Sequence, residues 1–162
     1  MIPVVNRQRR VPVSSVQVRT VVAAVFERER AGEPDIAVAV VDDATIRAVN
    51  ARWLGHDWAT DSIAFSYAGD PSPDGVRGEV VVSAETAARQ ARARGKDPRD
   101  ELLLYVAHGA LHLLGWNDRT PAARAAMNAR ARSILRSARP AGRSAKRPVK
   151  RVASPAARRA AR

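Results

Sequence analysis

The apolar positions of this chain change period along its length, and each change marks an element. Val18, Val21, Val22, Val25 and Phe26 recur at intervals of three and four, which aligns them along one stripe of a helix. Ser14 or Ser15 can cap that helix, the pattern runs to about Ala31, and Gly32 is expected to stop it. Asp35 to Val41 is a β-branched apolar run of strand length. Asp42 or Asp43 caps a short helix through about Arg52, with Ile46 and Val49 inward. Leu54 to Asp61 is a polar loop. Ser62 to Tyr67 alternates as a half-buried strand does, and Gly78 to Val82 is a further strand. Between them, residues 68–77 carry four glycines and prolines and are expected to form an exposed loop. Ser83 caps a helix to about Arg94. Asp97 and Pro98 supply the N-cap and first-turn proline of another, ending near Leu114, and Thr120-Pro121 opens the last, to about Ser137. Alternating valines at the start suggest an edge strand over Met1 to Val5. Strands set among helices in this order predict an α+β domain: a small mixed sheet of about four strands packed with helices. No internal repeat interrupts it.

The helix from Pro98 to Leu114 is the most apolar of the chain and carries its chemistry. It ends in HGALHLLGWND, residues 108–118, which holds two of the three histidines. His108 and His112 are four residues apart, so both imidazoles leave one helical face. Gly115 sits where a helix can turn back through a left-handed residue, and Asp118 three residues later can fold toward the imidazoles. Two imidazoles and a carboxylate make a three-ligand metal site, and three protein ligands leave a position for water or substrate, the catalytic arrangement of zinc. The expectation is one Zn2+ per chain at His108, His112 and Asp118. The competing reading is a pair of ordinary half-buried histidines, but a buried imidazole needs a partner.

Charge changes the picture at one end only. The chain has 162 residues and a formal net charge of +12. Ten of its 28 basic residues lie from Arg136 onward, a stretch with no acid, which leaves 18 basic against 16 acidic residues elsewhere. That stretch also holds Pro140, Pro148 and Pro155 and almost no large apolar side chain, so it cannot offset chain entropy by burial. The organisation expected is therefore one domain, 1–137, and a disordered basic tail, 138–162. The tail reads as an arm for phosphate backbones or, alternatively, as a solubilising appendage. The absence of cysteine excludes disulfides and thiolate ligands and fits a cytoplasmic location. No apolar run reaches the roughly 18–20 residues of a membrane span, and MIPVVNRQRR lacks the apolar core of a signal peptide.

The histidine spacing is that of the zincin proteases, HExxHxxGxxH/D, in which the Glu after the first histidine is the general base. Here that position is Gly109, so a peptidase would lack its base. The whole motif instead resembles the bacterial YbeY-type family of rRNA maturation factors. Further segments resemble it in the same order: NARWLGHDWATDSIAF at Asn50–Phe65, GEVVV at Gly78–Val82 and MNARARSIL at Met127–Leu135. The resemblance covers roughly residues 1–137. It implies an α+β fold whose metal site opens on a groove between the 54–61 loop and the sheet. It also implies a zinc-dependent, single-strand-specific endoribonuclease acting in rRNA maturation, including 16S rRNA 3′-end processing and ribosome quality control. The implied partners are single-stranded RNA or rRNA and the ribosome or its small subunit, with no membrane.

Three departures stand out. The third ligand, often His in that family, is Asp118, and the position before it, often Asp, is Asn117. Many members have an Arg thought to serve catalysis just after the aromatic of the first segment; here Leu54 follows Trp53. Arg52 and His56 are the candidates to replace it. Arg52, His56 and Thr60 can contact phosphate, though each also reads as a solvated helix end, a loop polar group, or a turn or cap. Trp58, in a polar loop, is the better candidate to stack on an unpaired base, whereas Phe65 reads as core. Two other readings stay open. One is a non-catalytic, metal-containing ribosome-assembly or RNA-binding factor, with Leu54 the trace of lost catalysis. The other is a zinc hydrolase of peptides or small molecules, which Gly109 and the basic tail oppose.

Overall fold

Element boundaries fall where a side chain meets the first free backbone N–H groups of a helix, or where the backbone turns left-handed. A computed structural model of the chain describes residues 1–67 and 77–138. In order, these form β1 (Val4–Asn6), α1 (Ser15–Glu29), β2 (Asp35–Val41), α2 (Asp43–Leu54), β3 (Ser62–Ser66), β4 (Arg77–Ser83), α3 (Ala84–Ala93), α4 (Pro98–Leu113) and α5 (Pro121–Ala138). Ser14, Asp42, Ser83 and Asp97 cap α1 to α4, each accepting a backbone N–H two or three residues on. At Ser14 the cap is reciprocal, because Gln17 returns a side-chain acceptor to the Ser14 N–H.

Two helix ends depart from expectation. α2 runs on past Arg52 to Leu54, which was expected in the loop, and ends where Gly55 takes φ 73°. α1 stops at Glu29 rather than near Ala31, because Arg30 (φ 55°), two residues before the likewise left-handed Gly32, is the first to leave the helical conformation. The N–H groups of Arg30 and Ala31 then close on the carbonyls of Glu27 and Phe26. The loop expected over residues 68–77 lies almost wholly outside the described residues, of which Arg77 opens β4. The expected tail lies outside them too, apart from Ala138, which ends α5.

The sheet runs β1-β2-β4-β3, with β2 parallel to β1 and β4, and β3 antiparallel to β4. Alternation along the strands sorts side chains to two faces. Ile36, Val38, Val40, Val80 and Val82 face the large core, which α1, α4 and α5 complete with Val18, Val22, Phe26, Leu102, Leu111 and Ile134. Ala39, Val41, Ile63 and Val81 face the other side, where Ile46 and Val49 of α2 cover them. All five apolar residues of the α1 stripe are buried.

α4 passes through the middle of the large core. It packs on α1, α3, α5, β3 and β4, and is buried on nearly every side, as a helix apolar all round should be. Its approach to the sheet depends on two glycines. A Cβ at Gly109 would overlap the side chain of Val80, and one at Gly78 would lie 2.8 Å from Leu113 Cδ2. Gly109 on Val80 and Leu113 on Gly78 also fix direction: α4 runs antiparallel to β4.

Candidate metal centre

His108 and His112 occupy the last two turns of α4 and are half-buried, on the single face that their spacing requires. The helix ends as Gly115 demands. Gly115 takes φ 90°, its N–H meets the His112 carbonyl at 3.0 Å, and the Trp116 N–H meets the Leu111 carbonyl at 3.0 Å. This turn folds Trp116 back under the helix. There its carbonyl accepts a hydrogen bond from Nδ1 of His112, at 3.0 Å. A carbonyl can only accept, so the proton sits on Nδ1, and in the neutral ring that tautomer puts the lone pair on Nε2.

His108 presents the complementary feature. Its Nε2 is buried and has no hydrogen-bond partner, alone in that respect among the buried side-chain nitrogens and oxygens of the described residues. Burial pushes the imidazole below its ordinary pKa; Asp61 and Asp118 pull it upward, while His112 and Arg132 push it further down. The net effect is downward, so the ring is held neutral, the form that can donate a lone pair to a metal. A buried, unpartnered imidazole nitrogen beside a second imidazole with a fixed tautomer suits a zinc ligand set. Among the described residues, however, no group of three or more His, Asp or Glu side chains is arranged to hold a metal ion. Asp118 is exposed on the turn after α4 and reaches His108 through its charge only.

A further carboxylate near His108 is Asp61, at the end of the polar loop that precedes β3. Antiparallel pairing sets Ala64 against Val80 and Ser62 against Val82. Because Gly109 lies over Val80, Asp61 falls level with the turn of α4 that precedes Gly109. Its charge accordingly acts on both Tyr105 and His108. Asp61 Oδ1 accepts the Ser62 N–H at 2.7 Å and the Thr60 hydroxyl at 3.1 Å, while Oδ2 has no hydrogen bond to the described residues. Thr60, a candidate for phosphate contact, therefore spends its hydroxyl on Asp61. Nearby, burial, then the Glu101 and Asp61 charges, push the Tyr105 phenol far above its ordinary pKa and keep it protonated.

The remaining candidates gather at the end of α2. Asn50, buried, holds the loop by donating to the Trp58 carbonyl at 2.9 Å, and Arg47 forms a two-pronged pair with Asp57. His56 stacks on Trp58 with ring centroids 4.5 Å apart, and the Arg52 guanidinium lies 5.2 Å from the Trp53 ring centroid. Trp53, Leu54 and Trp58 are 64%, 48% and 57% exposed, so two indole faces and an aliphatic side chain stand open to solvent. Among the described residues, none of Arg52, His56 and Trp58 makes a hydrogen bond or ring contact with His108 or His112.

A family model described as "Endoribonuclease YbeY" matches residues 3–139. Curated relatives of that name include one from Rhodopirellula baltica, 47% identical over 94 residues, covering 57% of this chain and 47% of the relative. One from an Anaeromyxobacter species is 40% identical over 106 residues, with 65% and 55% covered. One from Moorella thermoacetica is 37% identical over 127 residues, with 72% and 81% covered. The matched stretch thus spans about half the length of the first two relatives. A solution structure of a Thermotoga maritima protein shares the fold, with a TM-score of 0.54 at 22% identity, over 85% of this chain and 93% of that one.

Proposed function

The chain belongs to the endoribonuclease YbeY family, and from that premise we propose that it is a zinc-dependent, single-strand-specific endoribonuclease of rRNA maturation. The observation that carries this reading is the buried, unpartnered Nε2 of His108 beside the oriented ring of His112. In this reading His108, His112 and Asp118 hold one Zn2+, with Asp118 swinging inward from the turn after α4. When bound, zinc supplies Lewis-acid polarisation of a phosphoryl oxygen and activation of water.

The chain's own residues do the rest. Gly109 denies α4 the base that a peptidase would carry, since Val80 fills that space. Asp61, on the β3 side of His108, offers Oδ2 as the proton acceptor, and Thr60 and the Ser62 N–H hold its other oxygen still. The exposed indoles of Trp53 and Trp58 receive unpaired bases, and Arg52 and His56, each packed on one of those rings, meet the adjoining phosphates. A duplex cannot splay its bases onto such faces, which gives the preference for single strands. The cytoplasm is where rRNA would meet the enzyme, with the small ribosomal subunit as partner. No described helix is long and apolar enough to cross a membrane.

Leu54 favours a second reading. It stands exposed where many members of the family have an Arg, and a chain without that cation could serve assembly without cleavage. One experiment separates the two. Metal content and cleavage of single-stranded RNA are measured on the same preparations of wild type and His112→Ala. The enzyme reading expects about one zinc per chain and cleavage, both lost in the variant. Zinc without cleavage leaves the assembly factor, and a metal-free wild type that still cleaves removes the metal centre.

A further inference from the structure

Glu29 breaks a local rule. It is the last residue of α1, where the helix dipole disfavours a carboxylate, yet its side chain is only 15% exposed. Arg30, directly after it, is the one non-glycine residue among those described with positive φ. Two departures from local preference at adjacent positions need a tertiary cause.

For Glu29, that cause lies beside the two histidines. Glu29 Oε2 accepts the indole Nε1–H of Trp116 at 3.1 Å, across 87 residues of sequence. Its other oxygen accepts Nε of Arg130, on α5, at 2.6 Å, and the same guanidinium reaches the Arg28 carbonyl at 3.2 Å. Trp116 is the residue whose carbonyl accepts from His112 Nδ1. The indole is thus anchored at its edge by Glu29, and Glu29 is held by Arg130. A residue gripped through both its side chain and its N–H cannot easily turn its carbonyl away from the imidazole.

From this relay we infer that Glu29 and the Trp116 indole are positioning residues: they hold the Trp116 carbonyl against His112 and so fix the tautomer and aim of its free nitrogen. The inference rests on the metal reading of His112 given above. Partners of this kind raise the basicity of a ligating histidine and set its orientation, and their loss typically costs about 10–100-fold in metal affinity. A purely structural account would make Glu29–Arg130 a clamp between α1 and α5 and give Trp116 Nε1 no part in the site.

The test uses full-length wild type, Trp116→Phe and Glu29→Gln. Zinc affinity is read by competition with a chromophoric chelator, the His112 Nδ1 proton by NMR and solvent exchange, and stability by thermal melting. Trp116→Phe keeps the Glu29–Arg130 pair and the ring while deleting the Nε1–H. We expect it to weaken zinc binding by about 10–100-fold and to speed exchange of the His112 Nδ1 proton, with a near-normal melting temperature. Glu29→Gln should shift both readouts in the same direction. Unchanged zinc affinity and a protected Nδ1 proton in both variants would overturn the inference. A wild type that binds no zinc but protects that proton, with protection lost in Trp116→Phe, would sink the metal reading and leave the relay standing.

Discussion

Asp61 shows how a single carboxylate can be read two ways. One oxygen does the turn's work, accepting from Ser62 and Thr60, and the other is left outside those bonds, while the carboxylate's charge acts on Tyr105 and His108. Asp61→Asn separates the roles, because an amide oxygen still accepts at Oδ1 while the charge is gone. If Oδ2 takes a proton during cleavage, the rate should fall about 100-fold or more, with zinc content near wild type. A rate within a few-fold of wild type would return Asp61 to a turn residue. His108 is neutral for a complementary reason: burial outweighs the attraction of both acids.

At the scale of elements, α4 is set by what its neighbours leave room for. Gly109 is a weak helix former in the middle of the most buried helix, and its reason is Val80, whose methyl groups occupy the place a Cβ would take. Gly109→Ala should destabilise the fold by about 1–3 kcal/mol through overpacking, although alanine is the better helix former. Because Gly109 sits between His108 and His112, lifting this turn off β4 should also lower zinc content. Val80→Ala in the same chain should restore part of the stability. Chemical denaturation checks both steps; a stable single variant would mean that Val80 can move aside. Capping follows the same logic elsewhere. Burial works against the Asp43 carboxylate, yet hydrogen bonds from Ser83, Thr86 and Arg89 hold its pKa below the ordinary value and tie α2 to α3.

At the scale of the whole molecule, charge is unevenly spread. The residues after Ala138 hold most of the excess positive charge and no acid. Deleting residues 139–162 should leave the melting temperature nearly unchanged, since the described core is complete without them. It should flatten the dependence of log RNA affinity on log salt, because each neutralised phosphate adds roughly 0.7 to the slope for a single strand. An unchanged slope would show that this segment does not touch RNA and would leave the platform of Trp53 and Trp58 as the main contact.

Much of this protein was legible along the chain. The caps at Ser83 and Asp97, those at Ser14 and Asp42 to within one residue, the strand Asp35–Val41, the shared face of His108 and His112 and the turn at Gly115 all follow from relations within about five residues. Backbone sterics and helical period act at that range, so sequence alone determines them. The end of α1 escaped because the left-handed turn came at Arg30, where a side chain would not be expected. Tertiary structure alone decided that Asp61 faces His108, that Val80 forbids a side chain at Gly109, and that Glu29 grips Trp116. Each of these joins residues with no common period, brought together by sheet register and by helices crossing one core. No local pattern encodes such a meeting; it exists only once the apolar faces have packed.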